Sequence, residues 1–293
     1  MCDELTEGDL DRAGMPVSRR GFAGLVAAGG AALASTALAP AALAKGPRVK
    51  GRDVVITTPD GQADGWFVHP VRGKHPAVVI WPDIRGLRPA FRQMADRLAG
   101  EGYAVLVINP FYRDAAGEVV KPADDWTQPA IRERLFGYAG KLTRMATEGD
   151  ARAFATWLDG QKSVDRKRGI GVTGYCLGGP LTIYSAMAVP DRYRACGSFH
   201  GSRQSNDTPT SPHLGITETR AQYLFALAEN DDARDPKEKE RLRSILAGRP
   251  GFNEVEVYAG AQHGWCVPDG RAYNEAAAEK AWGRMLALFK AAL

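Results

Sequence analysis

Apolar residues along this chain follow two alternating rhythms. Short runs that are apolar at nearly every position recur: AVVIW at 77–81, YAVLVI at 103–108, GIGVTG at 169–174, ACGSF at 195–199, AQYLFALA at 221–228 and EVEVY at 254–258. Runs of that length predict strands covered on both faces. Between them, apolar residues fall at three- and four-residue spacing in 91–100, 148–158, 181–188, 236–247 and 272–291. That spacing predicts amphipathic helices. Two further β-like segments, 54–57 and 66–69, flank the turn signal Pro59-Asp60-Gly61 and predict an opening hairpin. Strand and helix in alternation predict an α/β fold: a mostly parallel central sheet of about eight strands, with helices on both faces and right-handed crossovers. In such sheets ligands bind beyond the carboxyl ends of the strands, so the residues just after each apolar run are where chemistry is sought.

The pattern changes before residue 45. Ser18-Arg19-Arg20-Gly21-Phe22 precedes the uncharged, alanine-rich run LVAAGGAALASTALAPAALA, which closes on Ala42-Leu43-Ala44. A twin arginine, a weakly apolar stretch and an A-x-A site predict an export signal that is removed, with passage through the twin-arginine machinery to the periplasm and no stable membrane anchor afterwards. Residues 1–44 are therefore read as the signal and 45–293 as one domain, since no internal repeat or long linker divides them. Of the 293 residues 44% are hydrophobic and 25% charged, which suits a soluble enzyme; the net charge of +4 is scattered, without a basic run, and predicts no nucleic-acid partner. Cys2 would leave with the signal, and the three remaining cysteines, Cys176, Cys196 and Cys266, are an odd number without C-x-x-C spacing. No structural metal and no cofactor is expected from them.

Four polar clusters follow the apolar runs: Pro82-Asp83-Ile84-Arg85-Gly86, Tyr175-Cys176-Leu177-Gly178-Gly179, Glu229-Asn230-Asp231-Asp232, and Ala259 onward through His263, Gly264 and Trp265. Cys176 stands between Gly174 and Gly178 on a strand-to-helix junction. That spacing is what a nucleophile elbow needs, because the central residue is strained and side chains two positions away would collide with neighbouring backbone. The junction also sets the thiol at a helix N-terminus, which favours a thiolate. His263, in a glycine-flanked loop after the last strand, is the candidate base. Asp231 is the acid that would fix its tautomer, with Asp232 as rival. Nucleophile, acid and histidine in that chain order is the α/β-hydrolase order. The oxyanion donors expected are the backbone N–H groups of Leu177 and Ile84. Cys196, inside a strand, reads as core.

With these residues assembled, the chain resembles the dienelactone hydrolase family of α/β hydrolases. Gly174-Tyr175-Cys176-Leu177-Gly178-Gly179 matches that family's nucleophile motif, and the resemblance runs from about Val54 to the C-terminus. It implies hydrolysis of a small ester or lactone by a Cys176–His263–Asp231 triad through a thioester. The family's glutamate beside the cysteine is here Asp83, and Val267 stands where an arginine holds a substrate carboxylate in the best-known members. Arg85 would be the compensating charge, and His200, Trp265 and Tyr112 the remaining substrate contacts, with Trp81 and Trp126 as further apolar wall. Two other functions are open to the same residues: a hydrolase-fold binding protein with a vestigial site, and a thiol redox protein pairing Cys176 with Cys266.

Overall fold

The computed structural model describes residues 46–121, 124 and 128–293; the export-signal stretch, Cys2 and Trp126 lie outside the described residues. The opening hairpin is longer than the apolar pattern predicts. β1 (Val49–Thr58) and β2 (Gly61–Pro70) pair antiparallel from Val49 opposite Pro70 to Thr58 opposite Gly61. The first half of β1 is mostly exposed, and only from Val54 do buried and exposed positions alternate, so the pattern marks only the half that touches the core.

The six runs form β3 (Ala77–Trp81), β4 (Ala104–Ile108), β5 (Ile170–Tyr175), β6 (Tyr193–Phe199), β7 (Gln222–Ala228) and β8 (Asn253–Tyr258); β3 to β7 are buried as expected, whereas β8 is half-buried up to Tyr258. Their spatial order is β1-β2-β4-β3-β5-β6-β7-β8. β2 joins β4 antiparallel, and every pairing from β4 to β8 is parallel. Five predicted helices are present, as α1 (Pro89–Gly100), α3 (Arg144–Asp159), α4 (Gly179–Ala188), α6 (Pro236–Leu246) and α7 (Glu275–Ala292). Two more, α2 (Pro129–Ala139) and α5 (Glu229–Arg234), are not foreseen by the periodicity. α2 buries only Leu135 and α5 buries nothing, so neither needs an apolar stripe.

Successive strand residues face opposite sides, and two cores result. Val79, Trp81, Val172 and Phe225 pack against Phe154 of α3, Ile183 of α4 and Leu242 of α6. Val78, Ile80, Leu224 and Ala226 pack against Phe91 of α1 and Met285 of α7. The sheet is thus covered on both faces, and its free working edge is the row of carboxyl ends of β3, β5, β6, β7 and β8.

Candidate active site

At the end of β5 the chain turns sharply. Cys176 has φ 52°, a left-handed conformation that an L-residue adopts at a cost. It opens a 3₁₀ turn, Cys176–Gly178, that leads directly into α4. A Cβ on Gly174 would lie 2.0 Å from the Gly178 carbonyl oxygen, and a Cβ on Gly178 would lie 2.4 Å from that of Trp81. Both glycines are therefore fixed by backbone contact. The loop after β6 closes the turn from above, where the Ser202 N–H donates to the Cys176 carbonyl at 3.2 Å.

His263 is held from α5 by two neighbouring side chains. Its Nδ1 lies 2.6 Å from Asp231 Oδ2, and its backbone N–H donates to Asn230 Oδ1 at 2.8 Å. With Nδ1–H donated to the carboxylate, Nε2 carries the lone pair. Asp232, the rival acid, accepts instead from Lys239 Nζ at 2.7 Å. The structure brings Asp231, not Asp232, to the imidazole. Asn230 belongs to the polar cluster read in the sequence, but its role is not legible there, because it is played toward a backbone N–H, which no residue pattern reports.

His200 sits beside this pair, with its ring centroid 5.1 Å from that of His263 at an interplanar angle of 72°. It too has positive φ, 39°, and burial, followed by the neighbouring His263, pushes its pKa well down, so it stays neutral. Trp265 lies behind His200, fully buried and stacked on Tyr258 at 4.5 Å. The expectation that Trp265 touches substrate gives way to packing. Trp81 is likewise core, its indole N–H donating to Ser185. Tyr112 is also placed elsewhere: its hydroxyl donates to Asp150 Oδ1 at 2.6 Å and meets Thr58 Oγ1 at 2.7 Å, tying α3 to the hairpin.

A cavity of about 380 Å³ lies along this edge. Ile84 and Leu177, the two expected oxyanion residues, both line it. Phe136, Ala139 and Gly140 at the end of α2 form one wall, and Pro180, Ser202 and Arg203 complete it. The wall is mainly apolar, and its one charged member, Arg203, is solvent-exposed with φ 57°. None of the α2 residues or the 202–203 pair stands out in the sequence, since each contributes bulk or backbone rather than a reactive group.

Around the loop after β3 the structure corrects two expectations. Asp83 reads in sequence as a carboxylate for the thiol, yet both its oxygens accept from the Arg88 guanidinium, at 2.7 and 2.9 Å, and Oδ1 also accepts the Arg85 N–H at 2.9 Å. Arg85 reads as a charge for substrate, yet it is only 6% exposed and its Nη1 lies 3.6 Å from Asp269 Oδ2. Val267 is itself buried. Cys266 is also buried, between Tyr175, Phe199 and residues of α1 and α7, and burial pushes its thiol pKa well up. A thiol so protonated is a poor resolving partner. Cys196 is core, as expected, and its pKa is likewise raised by burial. Among the described residues no group of three His, Cys, Asp or Glu side chains is arranged to hold a metal ion.

Comparison with known proteins gives the family and agrees with the fold. The sequence model of the dienelactone hydrolase family matches residues 63–293. A carboxymethylenebutenolidase of Rhodococcus opacus is 28% identical over 221 residues, 74% of this chain and 82% of that protein. A solved structure from Klebsiella pneumoniae superposes with a TM-score of 0.70 at 22% identity, over 83% of this chain and 99% of that one. The dienelactone hydrolase of Anabaena variabilis superposes with a TM-score of 0.60 at 15% identity, over 84% of this chain and 99% of that one.

Proposed function

The chain belongs to the dienelactone hydrolase family, a family of hydrolases acting on ester and lactone bonds, and on that premise we propose that it works through a Cys176–His263–Asp231 triad and a thioester acyl-enzyme. The observation that carries the reading is Cys176 itself: a buried cysteine with φ 52°, wedged between two glycines that admit no Cβ. Backbone strain at a reactive residue is what a nucleophile elbow stores.

The steps follow from the chemistry of the groups. His263 Nε2 takes the thiol proton as the sulfur attacks the carbonyl carbon, and the carbonyl electrons move onto oxygen. The Ile84 and Leu177 N–H groups stabilise that oxyanion. As the carbonyl re-forms, the carbon–oxygen bond to the alcohol breaks and the leaving oxygen takes the proton from the imidazolium. Water then attacks the thioester with His263 as base, the carbon–sulfur bond breaks, and the acid leaves as the thiolate recovers its proton. Asp231 holds the ring in the needed tautomer and balances the imidazolium. Asn230 fixes the backbone from which His263 projects.

The cavity favours an apolar acyl or ring portion beside the oxyanion donors. The test is hydrolysis of p-nitrophenyl esters by the purified chain: release of p-nitrophenol that vanishes in Cys176→Ala supports the reading, and release that persists in that variant refutes it. Export to the periplasm is part of the same proposal and rests on the residues at 18–22 and 42–44. Replacing Arg19 and Arg20 by Lys should leave the unprocessed chain in the cytoplasm; undisturbed processing would overturn that part.

A further inference from the structure

The loop after β3 and the loop after β8 belong to opposite parts of the sheet. Four inter-strand steps separate β3 from β8, about 19 Å at the usual strand spacing. Yet the two loops meet through two arginines: Arg85 faces Asp269 at 3.6 Å, and Arg88 alone hydrogen-bonds to aspartates of both loops. Arg88, at the N-cap of α1 and 4% exposed, forks two ways. Its Nη1 and Nη2 donate to Asp83 at 2.7 and 2.9 Å, while its Nε and Nη2 donate to Asp269 at 2.7 and 2.9 Å. Nη1 also donates to the Gly86 carbonyl at 3.2 Å, closing a ring around Ile84. On the far side, Asp269 ends a series of tight turns from His263, with Trp265 N–H donating to the Gln262 carbonyl, Val267 to Gly264 and Gly270 to Val267.

We propose that Arg88 is a positioning residue of this site, registering the loop that carries Ile84 against the loop that carries His263. The inference rests on the hydrolytic reading for its catalytic consequence. Geometry assigns the role. An arginine fork engaging two carboxylates fixes distance and angle together, whereas a lone charge fixes only distance. Two aspartates and two arginines, Arg85 included, leave the cluster neutral, so it adds no field that would draw an anionic substrate. Burial alone would lower the Arg88 pKa, but Asp83 and Asp269 outweigh it and the net direction is up; Asp269 in turn is held below the ordinary carboxylate range. The Arg88–Asp269 link therefore does not open by titration across the neutral range. Asp83 thereby serves as the anchor of the Ile84 turn.

The test uses Asp269→Asn and Arg88→Lys, each keeping the side chain's bulk while spoiling one fork. A misplacement of about 1 Å can cost roughly a hundredfold in rate, so kcat on a p-nitrophenyl ester should fall about ten- to a hundredfold with KM within about twofold. The double variant should be no worse than the poorer single one, because both act through the same link. Glu279→Gln, which removes the exposed ion pair with Arg97 on α1, should leave kcat unchanged. Amide exchange supplies a readout independent of turnover: residues 83–86 should exchange at least tenfold faster in Asp269→Asn, although the substitution lies in the other loop. Wild-type kcat in both folded variants, a change confined to KM, or unchanged exchange at 83–86 would overturn the proposal. Activity surviving Cys176→Ala would instead count against the hydrolytic reading, with the exchange result still deciding the role of Arg88.

Discussion

Replacing Asp231 by Asn separates the two adjacent acids at the end of β7. In the native site the His263 ring lies 2.6 Å from Asp231 Oδ2, and the carboxylate is 10% exposed. When the imidazole accepts the thiol proton, a positive charge forms with its centre about 4 Å from the carboxylate charge. At the effective dielectric typical of protein sites, two unit charges at that distance interact by about 4 kcal/mol. Since about 1.4 kcal/mol is tenfold in rate, the Asn variant should lose roughly a thousandfold in kcat. Asn also offers an N–H₂ group that can turn the ring to the wrong tautomer. Asp232→Asn is the internal control, because that carboxylate meets Lys239 on α6 and not the imidazole. It should keep kcat within about twofold and, the pair being half-buried, lose about 1 kcal/mol of stability. Initial rates on a p-nitrophenyl ester, with circular dichroism to confirm folding, decide the matter. An Asp231→Asn enzyme within threefold of wild type, or an Asp232→Asn enzyme that is the one disabled, would refute this assignment.

Other expectations follow from the same geometry. Gly178→Ala drives a methyl group to 2.4 Å from the Trp81 carbonyl and should cost roughly 2–4 kcal/mol in denaturant unfolding together with most activity; near-native stability would contradict the account of the elbow. Glu238 accepts the Gln204 and Ser205 N–H groups beneath the 202–203 wall, and burial first, then Asp235 and Asp231, raises its pKa to about 7. A carboxylate raised in this way favours the folded state at low pH and loses that contribution as pH climbs from about 4.5 through about 7, a change of roughly 3 kcal/mol. Glu238→Gln, which keeps an acceptor for both N–H groups, should flatten that slope; an unchanged pH dependence of stability would count against it. Finally, Arg85 is turned to Asp269, so Arg85→Gln should alter the ratio of rates on neutral and carboxylate-bearing esters by less than about twofold. A selective tenfold loss on the anionic ester would restore the substrate-binding role for Arg85.

Much of this architecture is legible in the order of residues alone. Five nearly continuous apolar runs mark β3 to β7 to within two residues at either end, because a strand buried on both faces has little reason to admit a polar side chain; β8 is marked instead by the alternation of EVEVY, as suits a half-buried strand. The elbow is legible because its demand is steric and only glycine meets it. Asp231 and His263 are legible because each follows a strand and each has a reactive side chain. What escapes is the partnering of charges. Asp83, Arg85, Arg88 and Asp269 are four charged residues in two loops, and nothing in their spacing says that Arg88 takes both acids and leaves Arg85 facing Asp269. Resemblance to a family points Asp83 at the thiol; in this chain an arginine five residues on claims it first. α2 and α5 escape for the opposite reason: burying one residue or none, they leave no periodic trace, yet one walls the cavity and the other holds the histidine.

The central claim is that Cys176 carries the acyl group. Rapid mixing of the full chain with excess p-nitrophenyl acetate, quenching in acid and mass analysis of the intact protein and its peptides tests it directly. The account predicts one acetyl group per chain, on the peptide containing Cys176, released by neutral hydroxylamine, and accumulating further in His263→Ala at a pH high enough to ionise the thiol without its base. Acetylation on Cys266 or on no cysteine, with turnover undiminished in Cys176→Ala, would contradict it.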